Sequence, residues 1–287
     1  MYISDAQYWS SNIDYRMNAV KELSDTKRIS DMTDDEIKDE VKKAYSKVAR
    51  RTVTKCCDQE DAPKKESTSS CCGPSPTDMK QLVLSFGYSV DGLPASATES
   101  YAGCGNPVAL ASLREGEVVL DLGSGAGLDV FAAAKRVGES GRVIGVDMTP
   151  EMLQKAEKNA IKLGLTNVEF RKGDIENLPI EDDSIDIIIS NCVINLAPDK
   201  SKVFREAFRV LRPGGRVMIS DIVLHSPLPK NMADEVITYT GCLGGAIPEE
   251  EYLQLMRDAG FERVKVVEKA KFDLGSSARI SGFKPKK

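Results

Sequence analysis

Histidine is almost missing from this chain: His225 is the single one. No two of its cysteines stand in a C-x-x-C pair, so the ligand spacing of a zinc ribbon is missing as well. His225 follows the fifth strand region and reads as a surface or core-satisfied imidazole, not as a catalytic one. No apolar run reaches the roughly 18 residues of a membrane-spanning helix. The opening Met1-Tyr2-Ile3-Ser4-Asp5 lacks the basic and apolar regions of a secretory signal. A surplus of basic charge is absent too: the signs are mixed and the net is −5. These absences argue against nucleic-acid and membrane partners and for a cytoplasmic chain. Internal repeats are also lacking.

What is present centres on Val118-Val119-Leu120-Asp121-Leu122-Gly123-Ser124-Gly125-Ala126-Gly127. A β-branched apolar run ends at an acid and enters a glycine-rich turn, and the residues from Leu128 to Lys135 read as the helix behind it. Such a turn lets a ligand approach the backbone, and the helix start favours negative charge. The next apolar run, Val143 to Asp147, ends in a second acid, placed where a nucleotide fold needs a ribose acceptor. A third strand at Val168–Arg171 leads into Gly173-Asp174-Ile175, an acidic–apolar pair suited to an adenine ring. Residue 128, where a pyrophosphate-binding turn would carry its third glycine, is Leu.

Before this core, residues 1–32 are polar with scattered aromatics, and residues 14–23 form a candidate helix. Thr33 and Glu36 make a capping box, followed by Ile37, Val41, Ala44 and Val48 at helical spacing, so a helix to about Arg51 is expected as a lid or brace. The polar stretch from Cys56 to Pro76 reads as a mobile loop with vicinal cysteines on either side, Cys56-Cys57 and Cys71-Cys72. The domain division is therefore residues 1–32 as an extension, 33–80 as helix plus loop, and 81–287 as the catalytic unit. Downstream, Pro150 opens a helix closed by Gly164, and strand four runs from Ile185 into Ser190-Asn191-Cys192. Asp199 caps a further helix, Gly214-Gly215 turns into strand five at Val217–Ile222, and a helix spans Glu249 to Asp258. Strands at Val264–Val267 and Arg279–Phe283 close the sheet. This alternation predicts an α/β fold with a doubly wound, Rossmann-like sheet, mostly parallel with an antiparallel C-terminal strand.

The seven cysteines, in a chain expected to stay reduced, call for chemical or ligand roles. Cys192 follows strand four, at the sheet end where open α/β folds bind ligands. Cys242 lies in the glycine-flanked turn Thr240-Gly241-Cys242-Leu243-Gly244-Gly245, and Cys104 sits between Gly103 and Gly105, where its neighbours hardly shield its sulfur. Three such cysteines look like a convergent trithiolate cup for a soft ion or metalloid. A buried core cysteine at 104 is not expected.

The nucleotide-site residues resemble the S-adenosylmethionine site of class I methyltransferases. That resemblance implies a cofactor site with Asp121, Gly123, Ser124, Gly125 and Gly127 at the methionine end. Asp147 and Met148 would lie at the ribose, Asp174 and Ile175 at the adenine, and Asn191 beside them. With the turns around Cys104, Cys192 and Cys242 added, the chain resembles the arsenite S-adenosylmethionine methyltransferases from about residue 34 to its end. In that family three such cysteines bind As(III) and a fourth, N-terminal one joins a disulfide relay. Cys56 or Cys57 is the natural match for the fourth, and Cys71-Cys72 share the candidacy. The implied activity is methyl transfer from S-adenosylmethionine to As(III) at Cys104, Cys192 and Cys242, leaving S-adenosylhomocysteine. Capture of arsenic at Cys57, Cys71 and Cys72, and reset of a disulfide by thioredoxin or small thiols, belong to the same expectation. Two alternatives stand beside it: a methyltransferase of a small, quinone-type organic substrate, and a metalloid-binding protein without turnover.

Overall fold

The computed structural model describes residues 28–50 and 76–286. The helix expected over residues 14–23 and the cysteines at 56, 57, 71 and 72 lie outside the described residues. Among those described, no helix is long and apolar enough to cross a membrane.

The first helix, α1 (Asp34–Arg50), starts as its sequence requires. The Glu36 amide donates to Thr33 Oγ1 at 3.3 Å and the Thr33 amide donates to the Glu36 carboxylate at 2.9 Å, so both halves of the capping box are made. Ile37, Val41, Ala44 and Ala49 are its buried positions; Val48, expected on that face, is half-buried. Three shorter helices follow: α2 (Pro76–Ser85), α3 (Ala95–Glu99) and α4 (Pro107–Leu110).

Strands and helices then alternate: β1 (Val118–Leu122), α5 (Leu128–Val137), β2 (Arg142–Asp147), α6 (Pro150–Leu163), β3 (Val168–Lys172) and β4 (Ile185–Asn191). After them come α7 (Lys200–Val210), β5 (Leu211–Leu224), α8 (Lys230–Ala233), α9 (Val236–Thr240), α10 (Glu249–Asp258), β6 (Glu262–Phe272) and β7 (Gly275–Phe283). The sheet order is β3-β2-β1-β4-β5-β7-β6. The first five strands pair in parallel, and β7 runs against both β5 and β6. The expected doubly wound sheet with an antiparallel C-terminal strand is therefore what forms.

Burial explains why these runs are strands. Ile185, Ile187, Ile188 and Ile189 of β4 are all fully buried, as a parallel strand covered on both faces demands. On one face Ile187 and Ile189 pack with Val130, Phe131 and Ala134 of α5 and Ala160 of α6. On the other, Ile185 and Ile188 pack with Val203, Phe204 and Ala207 of α7 and Tyr252 and Met256 of α10. Each fully buried isoleucine stabilises by about 1.5–3 kcal/mol. One detail departs from expectation. Gly214-Gly215 is not a turn before strand five but lies inside β5, where Ile185 pairs with Leu211 and Ile187 with Arg216. The extra β5 residues bulge out of the ladder, which glycine tolerates.

The strand order reverses between β1 and β4, the two neighbours from which the chain winds outward in opposite directions. The crevice beyond their carboxyl ends is where this topology places a ligand.

Candidate active site

That crevice holds a cleft of about 960 Å³ of empty space, partly open to solvent. Its floor is the glycine turn after β1. Gly123 has φ +67°, and a Cβ there would sit 2.4 Å from the Val193 side chain, so only glycine fits. The Gly123 and Ser124 amides donate back to Val146 O at 2.8 and 3.0 Å, tying the turn to β2. At the end of β2, Asp147 accepts from the Gly125 amide at 2.9 Å and the Thr149 amide at 2.8 Å. Met148, Asp174, Ile175 and Asn191 line the same cleft. Of the residues expected at a cofactor, Gly123, Ser124, Gly125, Asp147, Met148, Asp174, Ile175 and Asn191 are thus brought together. Asp121, which is buried, and Gly127 do not line the cleft, whereas Asp129 of α5 does.

Three carboxylates gather there, Asp121 and Asp129 buried and Asp147 half-buried. Burial raises the pKa of Asp121 well above the usual carboxylate range, with Asp129 and Asp147 adding repulsion. Burial also lifts Asp129 to about 6, although hydrogen bonds from Tyr88 and Asn191 oppose the rise. Burial raises Asp147 against the pull of its two amide donors. The buried Ser124 hydroxyl has no hydrogen-bond partner among the described residues. Clustered acids with an orphan hydroxyl suit a cationic ligand rich in hydroxyl and amino groups, and S-adenosylmethionine has that chemistry.

Asn191 joins this pocket to the cysteines. Its Nδ2 donates to Gly105 O at 2.8 Å, to Asp129 at 3.1 Å and to Tyr88 Oη at 3.2 Å. Its Oδ1 accepts from the Cys104 amide at 2.9 Å. A Cβ at Gly103 would lie 2.5 Å from Asn191 Nδ2, so the glycine before Cys104 is what admits this close approach. Ser277 on β7 completes the hold on the loop by donating to Cys104 O at 2.6 Å.

The three cysteine turns converge. The Cys104 and Cys192 sulfurs lie within 4.8 Å of one another, and Cys242 joins them through the Cys192 backbone. Cys242 Sγ donates to Cys192 O at 3.0 Å. Cys192 and Cys242 have φ of +61° and +70°, left-handed conformations that cost a non-glycine residue about 1–3 kcal/mol each. The surrounding hydrogen bonds hold this strain: the Cys192 amide donates to Ser220 O at 2.8 Å and the Cys242 amide to Tyr239 O at 2.9 Å. The contact with Cys104 pushes the Cys192 thiol well above the usual thiol range, and burial adds to it against the opposing bond from Cys242.

One expectation is corrected here. The flanking glycines predict an unshielded turn cysteine at 104, yet its exposure is 0%, and Cys192 and Cys242 stand at 2% and 0%. Its flanking glycines do leave it bare locally. The cover comes from residues remote in sequence: Ile37 and Val41 of α1, Ile222, Leu243 and Phe272 share its apolar cluster. Helix α1 forms the roof, as the lid-or-brace expectation had it. Lys38 Nζ bonds Asp174 and Glu176, each at 2.7 Å, and Tyr45 Oη lies 3.6 Å from Cys242 Sγ. His225 is exposed, with Ser276 Oγ 3.4 Å from its Nε2, in keeping with the non-catalytic reading.

Sequence reasoning did not single out Asp129, Lys38, Tyr45 or Asp221. Asp129 carried a signal, being an acid in the first turn behind the glycines. Asp221 carried one too, as a carboxylate inside the apolar run of β5. Burial drives its pKa up to about 7 despite the Ile222 amide and the Lys200 charge.

Comparison with known proteins gives the family. A methyltransferase-domain family model matches residues 113–260. The arsenite methyltransferase of Halobacterium salinarum is 50% identical over 186 residues, which is 64% of this chain and 48% of that protein. That of Aquipseudomonas alcaligenes is 40% identical over 220 residues, 74% of this chain and 61% of that protein. The chain thus spans about half the length of these curated relatives. An arsenic(III) S-adenosylmethionine methyltransferase from Chlamydomonas reinhardtii, known from its crystal structure, matches with a TM-score of 0.62. It is 37% identical, over 69% of this chain and 72% of the other. With a methyltransferase-domain match over residues 113–260 and 37% identity to an arsenic(III) S-adenosylmethionine methyltransferase of which 72% is covered, this chain belongs to the arsenite S-adenosylmethionine methyltransferase family, within the class I methyltransferases.

Proposed function

We propose that this chain methylates trivalent arsenic held by Cys104, Cys192 and Cys242, with S-adenosylmethionine as the methyl donor. The observation that carries the reading is the packing of three cysteines from separate turns into one buried cluster beside the cofactor-type cleft, which Cys192 itself lines. When bound, S-adenosylmethionine supplies an electrophilic methyl group on a sulfonium centre. Asp129 and Asp147 orient it through its amino and ribose hydroxyl groups, and Asp174 with Ile175 receives the adenine.

The cysteines do the rest. As(OH)3 and three protonated thiols exchange to a tris-thiolate arsenic and three waters, so no net charge enters the buried cup. That matters where desolvating an ion is costly. The thiol protons leave on the departing hydroxides, and no separate base is needed. Once dehydrated, arsenic presents its lone pair as the nucleophile, and placement supplies the acceleration. The apolar roof of Ile37 and Val41 excludes water from that lone pair. Arsenic left pentavalent by methylation regains two electrons when a cysteine pair closes to a disulfide. Cys56 is the candidate partner in that pair, and Cys57, Cys71 and Cys72 are candidates for capturing arsenic before it enters the cup. Thioredoxin or small thiols reopen the disulfide by exchange.

The test is turnover of purified, reduced protein with arsenite, methyl-labelled cofactor and thiol, read by arsenic speciation. Labelled methylarsenic is the expected product. Arsenite bound without any labelled product, or label found only on an organic acceptor, overturns the reading.

A further inference from the structure

One buried group in the cup has no task in arsenic chemistry. Asp221, on β5, is 0% exposed, and one of its carboxylate oxygens lies with the Cys104 and Cys192 sulfurs inside a cluster no wider than 4.8 Å. A tris-thiolate arsenic is neutral and pyramidal, with three bonds and a lone pair. It needs neither a fourth donor nor an anion. Among the described residues, Asp221 Oδ1 accepts from Asn195 Nδ2 at 2.8 Å and from the Ile222 amide at 2.9 Å, whereas Oδ2 takes only the Tyr252 hydroxyl at 3.2 Å. Oδ2 thus keeps a lone pair free for a further partner.

We infer that Cys104, Cys192 and Asp221 form the core of a binding site for a thiophilic divalent cation of the zinc and cadmium type, with the carboxylate as its oxygen ligand, and that Cys242, which lies outside their 4.8 Å cluster and is hydrogen-bonded to the Cys192 carbonyl, swings in as the third sulfur. Such ions have filled d shells, take four ligands tetrahedrally and accept mixed sulfur and oxygen donors. Three sulfurs and one oxygen supply that number. The charge also suits a dication better than a neutral metalloid. On binding, the cation displaces the thiol protons to solvent, so three thiolates and a carboxylate surround it, and the buried Lys200 ammonium acts electrostatically on both Asp221 and Cys242. Arsenite and the cation share the sulfurs, so they exclude one another, and only the cation uses Asp221. The cup would thereby be blocked by soft divalent ions. The inference goes beyond arsenic methylation and rests on that reading only for the competition.

The experiment uses Cd2+ on full-length reduced protein carrying Cys56→Ser, Cys57→Ser, Cys71→Ser and Cys72→Ser, which leaves the cup as the only thiol site. Cadmium-113 NMR is expected to show one bound ion in a three-sulfur, one-oxygen environment, displaced by added arsenite. Asp221→Asn should weaken Cd2+ binding about tenfold or more, the scale of a lost ligand or ligand support, while arsenite affinity stays within about twofold. Unchanged Cd2+ affinity in that variant, a fall in arsenite affinity of the same size, or a spectrum with sulfur ligands alone overturns the inference. Should Asp221→Asn fail to fold, the spectrum of the parent decides by its ligand set. A parent that binds arsenite but no Cd2+ refutes the cation site and leaves the methyltransferase reading intact. A parent that binds Cd2+ but no arsenite does the reverse.

Discussion

Cys242 Sγ donates to the backbone carbonyl of Cys192 at 3.0 Å, joining two left-handed cysteines that lie 50 positions apart. Each stabilises the other's strained turn, so the two halves of the cup depend on one another.

The first prediction concerns that dependence. Cys192→Ser and Cys242→Ser should each abolish tight arsenite binding, since a hydroxyl is a poor ligand for a soft metalloid. Their effects should be strongly non-additive in the double variant, as expected of groups acting as one unit. Equilibrium dialysis with arsenic quantified by mass spectrometry measures this. Two single variants that each keep wild-type affinity would remove the cup from the mechanism.

The second separates the two half-sites. Asp147→Ala should weaken cofactor binding about tenfold to a hundredfold, the value of one charged hydrogen bond to a hydroxyl. Arsenite binding should be unaffected, because Asp147 acts on the glycine turn and not on the cysteines. Calorimetric titrations of each ligand check both halves. A loss in arsenite affinity alone contradicts the assignment.

The roof supplies the third. Burial pulls the Lys38 ammonium down, but pairing with Asp174 and Glu176 outweighs it and leaves the pKa above its ordinary value. Lys38→Ala leaves Glu176, whose side chain is 4% exposed, without its cation, although the Asp199 amide still donates to it at 2.9 Å. A loss of about 1–3 kcal/mol is expected from urea denaturation. Proteolysis should also attack α1 faster than in the wild type. An unchanged midpoint would mean the roof is held without this pair.

Acid behaviour supplies the fourth. Asp129 titrates near 6 in the folded chain through burial, against about 3.9 when unfolded. Between those values the folded state holds a proton that the unfolded state has lost. The contribution to stability is therefore complete below about pH 4 and declines as pH rises through 6. Asp129→Asn should flatten that part of the profile, while Asp221, lifted to about 7, keeps a residual decline. Urea midpoints across this range, compared between wild type and variant, measure it. A wild-type profile that rises over the same window contradicts the assignment.

Local pattern alone was enough for much of this protein. The capping box at Thr33, the glycine turn after β1, the acids closing β2 and following β3, and the cysteine directly after β4 all depend on residues within a few positions of one another. Parallel strands then carry their carboxyl ends to the same edge of the sheet, so the place where Cys192 meets the cleft follows from topology. Tertiary structure decided what lies over and under that place. The cover on Cys104, the approach of Tyr45 to Cys242 across 197 positions and the pairing of Lys38 with Asp174 across 136 are contacts between segments whose sequences carry no mark of each other. Burial is a property of the whole packed chain, and burial is what turned an apparently open cysteine into a sealed one and left the Asp221 carboxylate among the sulfurs.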